Sequence, residues 1–147
     1  ALFFARRQQS TRAALALAFA GIVSSQLALS GHESLAPAKS AWFVAQEIRP
    51  YLKPGIPFYS VGMYDQTLPF YIKRTVTVVG WRDELDFGFT QEPDKWVPDE
   101  EAFARLWLSQ KEALAIMHPG HYAALSQRHL PMHVIVQDAR RVVVEKP

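Results

Sequence analysis

The sequence predicts an α/β domain: a mostly parallel sheet of about five strands, helices on both faces, an antiparallel hairpin at the C-terminal edge, and a long helix in front. Three observations predict it. Short apolar runs alternate with segments of helical periodicity from Ile56 onward. Only Asp138-Ala139-Arg140-Arg141 separates the last two apolar runs, too little for a parallel crossover, so these pair antiparallel. From Ala13 to Gly31 there is no charged residue, a run of 19 positions.

The elements follow in order. Ala38 to Arg49 carries apolar residues at helical spacing (Ala38, Trp42, Ala45, Ile48), stopped by Pro50 and then Pro54-Gly55. Ile56 to Met63 is the first strand, Leu68 to Lys73 a short helix, and Thr75 to Val79 the second strand. Thr67 is placed to cap the short helix, with Pro69 in its first turn, where a backbone N–H has no intrahelical partner to lose. Gly80 to Pro98 reads as a loop rich in acids, aromatics and prolines. Glu100 to Ser109 is a helix with Phe103, Leu106 and Trp107 on one face and Asp99 as cap. Ala113 to Met117 is the third strand and His121 to Arg128 a helix. Met132 to Gln137 and Val142 to Lys146 are the last two strands.

Composition sets bounds. The 147 residues, 49% apolar and 20% charged, suit one domain with an ordinary core. The net charge of +2 hides an asymmetry: Asp83 to Glu101 holds eight acidic residues against one Lys. Basic residues form no stripe and do not interleave with aromatics, so nucleic-acid binding is not expected. Cysteine is absent, which excludes disulfides and thiol catalysis.

The front end has three readings. Arg6, Arg7 and Arg12 precede the charge-free run, whose length fits the roughly 20 residues that cross a hydrocarbon core. The arginines would then lie in the cytoplasm and everything after Gly31 outside. Ala1-Leu2-Phe3-Phe4 would end a preceding span and Ala5 to Arg12 form a short cytoplasmic loop, so that the run is the last span of a larger protein. Its Ala-rich composition, with Ser24, Ser25 and Gln26, favours packing against sister helices over lone insertion. A signal peptide cleaved near Leu-Ala-Leu-Ser-Gly and a soluble Ala-rich helix are the competing readings. The expected organisation is residues 1–32 as basic loop plus helix and 33–147 as the α/β domain.

Tyr64-Asp65-Gln66-Thr67-Leu68-Pro69-Phe70-Tyr71-Ile72-Lys73-Arg74 ends the first strand and forms the crossover, where ligands and partners of parallel sheets tend to collect. Asp65 suits a sugar hydroxyl or an amine, or a turn in which it holds loop amides. Tyr64, Phe70 and Tyr71 suit stacking on a sugar or lipid, or the core. Arg74 suits a phosphate, or a salt bridge to Glu84 or Asp86. Glu84 and Asp86, two apart, share a face if extended, and could act as acid and base or as metal ligands; otherwise they face solvent. The binding candidates are thus Tyr64, Asp65, Gln66, Tyr71, Arg74, Glu84 and Asp86. His118 and His121 lie at one end of a two-turn helix and His129 and His133 at the other, roughly 12 Å apart, so a shared metal is not expected. Asp86-Phe87-Gly88 matches a kinase motif by chance, and no Gly-x-Ser-x-Gly, P-loop or dinucleotide fingerprint occurs. No cofactor is expected.

From about Ala38 to Val144 the sequence resembles the C-terminal periplasmic portion of bacterial membrane glycosyltransferases of the aminoarabinose lipid A transferase type, relatives of the protein mannosyltransferases. The resemblance rests on the Tyr64-to-Arg74 stretch, Glu84-Leu85-Asp86-Phe87-Gly88, Trp96-Val97-Pro98, the Phe103-to-Trp107 helix, Leu130-Pro131-Met132 and Arg140-Arg141-Val142-Val143-Val144. It implies a parent protein in the bacterial inner membrane that moves a sugar from a polyprenyl-phosphate donor to a lipid A-type or protein acceptor. This domain would be periplasmic, partnered by the transmembrane part of the same protein. The resemblance implies that the catalytic acid lies in the first periplasmic loop of that membrane part, so no residue of this chain is assigned a catalytic role and the isolated fragment is expected to be inactive. A membrane-tethered sugar- or peptide-binding module is the alternative. A small independent hydrolase would need two of the Asp, Glu and His groups in one cleft.

Overall fold

Short strands buried at successive positions leave both faces of the sheet in need of cover, and the computed structural model supplies it with two pairs of helices. The structure describes residues 10–147. The readings of Ala1-Leu2-Phe3-Phe4, Arg6 and Arg7 fall outside those residues. Two compact units meet between Lys39 and Ser40.

The first unit is helix α1, Ser10–Lys39. Within it Ser10–His32, 23 residues, is long and apolar enough to cross a membrane. Leu15, Leu17, Phe19, Ile22, Leu27 and Leu29 are exposed along it.

The second unit runs α2 (Trp42–Ile48), β1 (Phe58–Val61), α3 (Thr67–Ile72), β2 (Thr77–Val79), α4 (Asp86–Gln91), β3 (Trp96–Val97), α5 (Glu100–Ser109), β4 (Leu114–Met117), α6 (Pro119–Gln127), β5 (His133–Gln137) and β6 (Val142–Glu145). The strands form one sheet in the order β3-β2-β1-β4-β6-β5. β1 pairs in parallel with β2 and β4, and β2 with β3. β6 pairs antiparallel with β4 and β5, so the C-terminal hairpin lies at an edge as expected. One face buries Val61, Val79, Ala115, Met117, Val142 and Val144 beneath Phe103 and Trp107 of α5 and Leu125 of α6. The other buries Phe58, Leu114, Ile116 and Val143 beneath Val44, Ala45 and Ile48 of α2 and Leu68 of α3. This is the period-2 pattern of a sheet covered on both sides. The Trp107 indole N–H donates to the Pro131 carbonyl at 2.8 Å, which fastens Leu130-Pro131-Met132 over this core.

The structure differs from expectation in four places. Ala38 belongs to α1, not to the helix that carries Trp42. The break arises because the Ala41 N–H donates to the Thr67 hydroxyl at 2.9 Å, and the Ser40 hydroxyl accepts from the Trp42 N–H at 3.2 Å. Thr67 therefore serves this junction rather than capping α3. The loop from Gly80 to Pro98 is largely ordered: 3₁₀ turns at Asp83–Leu85 and Pro93–Lys95 flank α4. The sixth strand, β3, is two residues long, too short to announce itself by alternation.

β1 and β2 both end in a glycine with positive φ, Gly62 at 63° and Gly80 at 67°. Their N–H groups donate to Val79 and Val97, at 2.8 and 2.9 Å. A Cβ on Gly80 would meet nothing within 4 Å, whereas one on Gly62 would collide with the His121 ring, 2.6 Å from its Cε1. The two sites separate backbone strain from steric conflict. Gly80→Ala is expected to cost about 1–2 kcal/mol for the left-handed backbone alone, and Gly62→Ala about 1–3 kcal/mol more for overpacking. Urea unfolding of the two variants in detergent measures the difference; equal losses would show that His121 yields freely.

Candidate functional site

Sequence order fixes where a ligand crevice would lie. β1 is followed by α3 on one face and β4 by α6 on the other, so the ends of β1 and β4 form a topological switch point. Here the His121 ring of α6 packs on Gly62. Its Nδ1 lies 2.6 Å from Oε1 of Glu100 at the start of α5, with Arg128 Nη2 at 4.0 Å from the other oxygen. Gly62 thus leaves room for a side chain of the protein itself.

Beside it the chain builds a buried ionic node. Asp65 Oδ1 accepts from the Thr67 N–H at 3.0 Å, the Leu68 N–H at 3.2 Å and the Thr67 hydroxyl at 2.7 Å, which caps α3. Its Oδ2 accepts from Arg141 Nε at 2.6 Å. The side chains are 1% exposed for Arg141 and 7% for Asp65. Arg141 Nη1 also donates to Asp138 Oδ2 at 3.1 Å and to the Ser40 carbonyl at 3.4 Å. Asp138 shapes the β5–β6 turn in the same stroke: its Oδ1 accepts from the Arg140 and Arg141 N–H groups at 2.7 and 2.6 Å. Burial pushes the Asp65 carboxyl upward, but the Thr67 hydrogen bonds and the Arg141 charge outweigh it and hold the group below its ordinary range. A carboxylate so held is a weak base, and its oxygens are engaged within the protein.

The other candidates divide. Tyr64 stacks on Trp81, centroids 5.9 Å apart at 17°. Gln66 Nε2 donates to Glu84 Oε1 at 2.7 Å on the exposed side of the same ends. Glu84 and Asp86 do not share an extended face, because Glu84 sits in a 3₁₀ turn and Asp86 opens α4. Asp86 pairs with Arg82 at 2.6 Å, and the Arg82 guanidinium lies 4.4 Å from the Trp96 ring centroid. Arg74 turns away from both carboxylates and donates to the Lys53 carbonyl at 3.2 Å. The Tyr71 hydroxyl accepts from Ser40 at 3.1 Å. Tyr64, Gln66 and Glu84 are thus neighbours through their partners at one end of the sheet, while Tyr71 and Arg74 serve other contacts.

The four clustered histidines scatter. His118 Nδ1 bonds with the Arg140 carbonyl at 2.9 Å and His133 Nδ1 with Glu145 Oε1 at 2.9 Å, while His129 occupies a left-handed turn. Among the described residues no group of three His, Asp or Glu is placed to hold a metal ion. A cleft of about 280 Å³ lies at the opposite end of the sheet, between Tyr51, Lys53, Glu112, Leu114, Glu145 and Lys146, and none of the seven candidates lines it. Sequence reasoning singled out neither Arg141 nor Asp138 as functional. The available signal was the Asp-x-Arg-Arg turn running into an all-apolar strand.

These features define a class: a doubly wound α/β domain with an antiparallel edge, joined to an apolar helix of membrane-crossing length. Residues 44–146 match the aminoarabinose transferase C-terminal domain family, and the chain belongs to it. The crystal structure of ArnT from Cupriavidus metallidurans bound to undecaprenyl phosphate is similar at 43% identity and a TM-score of 0.73, over 80% of this chain and 21% of that one. The apo form of the same protein matches equally well, over 22% of its chain. The chain spans about a fifth of the length of those structures. Curated proteins give no match.

Breaking the node tests its weight. Arg141→Ala leaves two carboxylates near a buried void and is expected to cost about 3–5 kcal/mol, read by urea unfolding. Asp65 has a folded pKa below its unfolded one, so its contribution is complete above the unfolded value, near 4, and is lost as pH falls through the folded one. Asp65→Asn should therefore be less stable at neutral pH and lose less than the parent between neutrality and about pH 3; identical acid limbs would contradict this.

Proposed function

We propose that this chain is the C-terminal part of an integral membrane glycosyltransferase that transfers a sugar from a polyprenyl-phosphate donor to a lipid A-type or protein acceptor. α1 then crosses the bacterial inner membrane, and residues after about 32 lie on the periplasmic side. The observation that carries the reading is the 43% identity, over 80% of the chain, to an ArnT structure that holds undecaprenyl phosphate. The apolar stretch Ser10–His32 supports it, since 23 helical residues rise about 34 Å against a hydrocarbon core of about 30 Å. Its alanines and exposed leucines suit packing among sister helices.

In this reading the domain caps the membrane part, and chemistry belongs to the remaining four-fifths of the protein. The geometry agrees with that division. The acidic candidate at the switch point, Asp65, is held ionised by Arg141 and by a helix start, and the crevice position is filled by His121. Tyr64, Gln66, Arg74, Glu84 and Asp86 then serve architecture or docking to the rest of the protein, and Tyr71 serves architecture through its hydrogen bond from Ser40.

The purified chain, incubated with a polyprenyl-phosphate-linked sugar and lipid A in detergent, is expected to give no product by mass spectrometry, while the intact gene product does. Turnover by the chain alone would overturn this placement of the catalytic groups.

A further inference from the structure

We propose that Trp42 and Phe43 of α2, with Phe70 and Tyr71 of α3, form a face that rests in the headgroup region of the bilayer; the proposal depends on α1 spanning that bilayer. Trp42 is 45% exposed, Phe43 55% and Phe70 70%, unusual for rings of this size. Two ring pairs, one on each helix, are linked through Ser40. The Phe70 and Tyr71 rings meet edge to face at 5.3 Å. The Tyr71 hydroxyl receives the Ser40 hydroxyl, whose oxygen accepts from the Trp42 N–H, and the Trp42 and Phe43 rings meet at 5.0 Å. These contacts tie the start of α2 to α3 and leave Trp42, Phe43 and Phe70 exposed.

Lipid fits this face for two reasons. The first is reach. From His32, the end of the apolar stretch, α1 continues for seven residues, rising about 10 Å. The three residues from Lys39 to Trp42 then span at most about 10 Å. A patch tethered within about 20 Å of the hydrocarbon edge meets the headgroup layer as an intramolecular event. The exposed apolar residues on the other helix layer, Leu106 and Leu108, lack this connection. The second reason is chemistry. Trp and Tyr favour the interface because a ring enters the apolar boundary while its polar tip stays wet. Lys73, with its ammonium 5.7 Å from the Phe70 centroid, adds attraction for anionic headgroups. Glu47, on α2 one turn beyond Phe43, is exposed and brings a negative charge to the neighbouring surface.

The absence of cysteine permits clean single-site reporters. The whole chain is reconstituted in vesicles of phosphatidylethanolamine and phosphatidylglycerol. Nitroxides are placed by Phe19→Cys in α1, Glu47→Cys and Phe70→Cys at the face, and Arg105→Cys on α5 as the aqueous control. Collision with oxygen and with a water-soluble nickel chelate is then read by electron paramagnetic resonance. The expected oxygen-to-nickel ratio at positions 47 and 70 is several-fold above that at 105 and below that at 19. Replacing Trp42, Phe43 and Phe70 by serine should return position 47 to the value at 105. Aqueous values at 47 and 70 with position 19 in lipid would overturn the proposal and leave the spanning helix standing. An aqueous value at 19 would overturn the spanning helix itself. Labels at 47 and 70 shielded from both reagents would mean that protein covers the face, which also overturns it.

Discussion

The ion pair between Arg141 and Asp65 is the constraint on which this domain depends. It joins residues 76 apart in sequence, with the Arg side chain 1% exposed. Two charges taken out of water are tolerated only where nearly every donor and acceptor is met. Asp65 meets the requirement with a helix N-terminus on one oxygen and the guanidinium on the other. Arg141 meets it with a second carboxylate and the Ser40 carbonyl. The pair thus binds the crossover after β1, the turn before β6 and the entry to α2 into one unit.

That arrangement bears on where a ligand can sit. In an open α/β sheet the switch point is a crevice because the helices on either side diverge. Here the crevice is used from within, by the His121 ring against Gly62 and by the ionic node beside it. The left-handed backbone at Gly62 has a purpose in these terms: it brings the chain close enough to an imidazole that no Cβ fits between. The same end also carries the exposed Gln66–Glu84 contact and the Tyr64–Trp81 stack.

Much of the fold was legible in the sequence because uninterrupted apolar runs mark the strands and apolar residues at helical spacing mark the helices. The predicted span Glu100 to Ser109 and its Asp99 cap agree with α5, where Asp99 accepts from the Ala102 N–H at 2.7 Å, since a short polar side chain before an apolar stripe has few other uses. The edge hairpin was legible because four residues cannot make a crossover. The ordered interior of Gly80 to Pro98 was not. Its stability comes from Arg82 lying over Trp96 and Phe89 packing on the same ring, contacts with no spacing rule. Asp65 was recognisable as a turn residue by its place before Thr67, but its partner was hidden. An arginine in a hairpin turn ordinarily faces solvent, and only the packing of that turn against the first crossover buries Arg141 and pairs it with Asp65. Thr67 misled for a related reason: a residue at a helix start can cap that helix or lend its oxygen to a neighbour, and tertiary contact decides.

The same contacts also determine where the chain leaves the domain toward α1. The Ala41 N–H is held by the Thr67 hydroxyl, Thr67 is held by Asp65, and Asp65 is held by Arg141. Arg141 in turn reaches the carbonyl of Ser40, the residue directly after α1. A closed ring of bonds therefore encircles residues 40–41. Its members come from the start of α2, the start of α3 and the start of β6. Within the domain, the backbone at Ser40 and Ala41 is thereby anchored to both α3 and the turn before β6. The aromatic patch begins one residue beyond that ring, at Trp42, so the network that holds the exit also holds the surface beside it. The β5–β6 turn is thus tied to the junction through Arg141, and β5 is tied to it as well through Ile135 and Val136, which pack against the cluster that holds Ala41 and Val44.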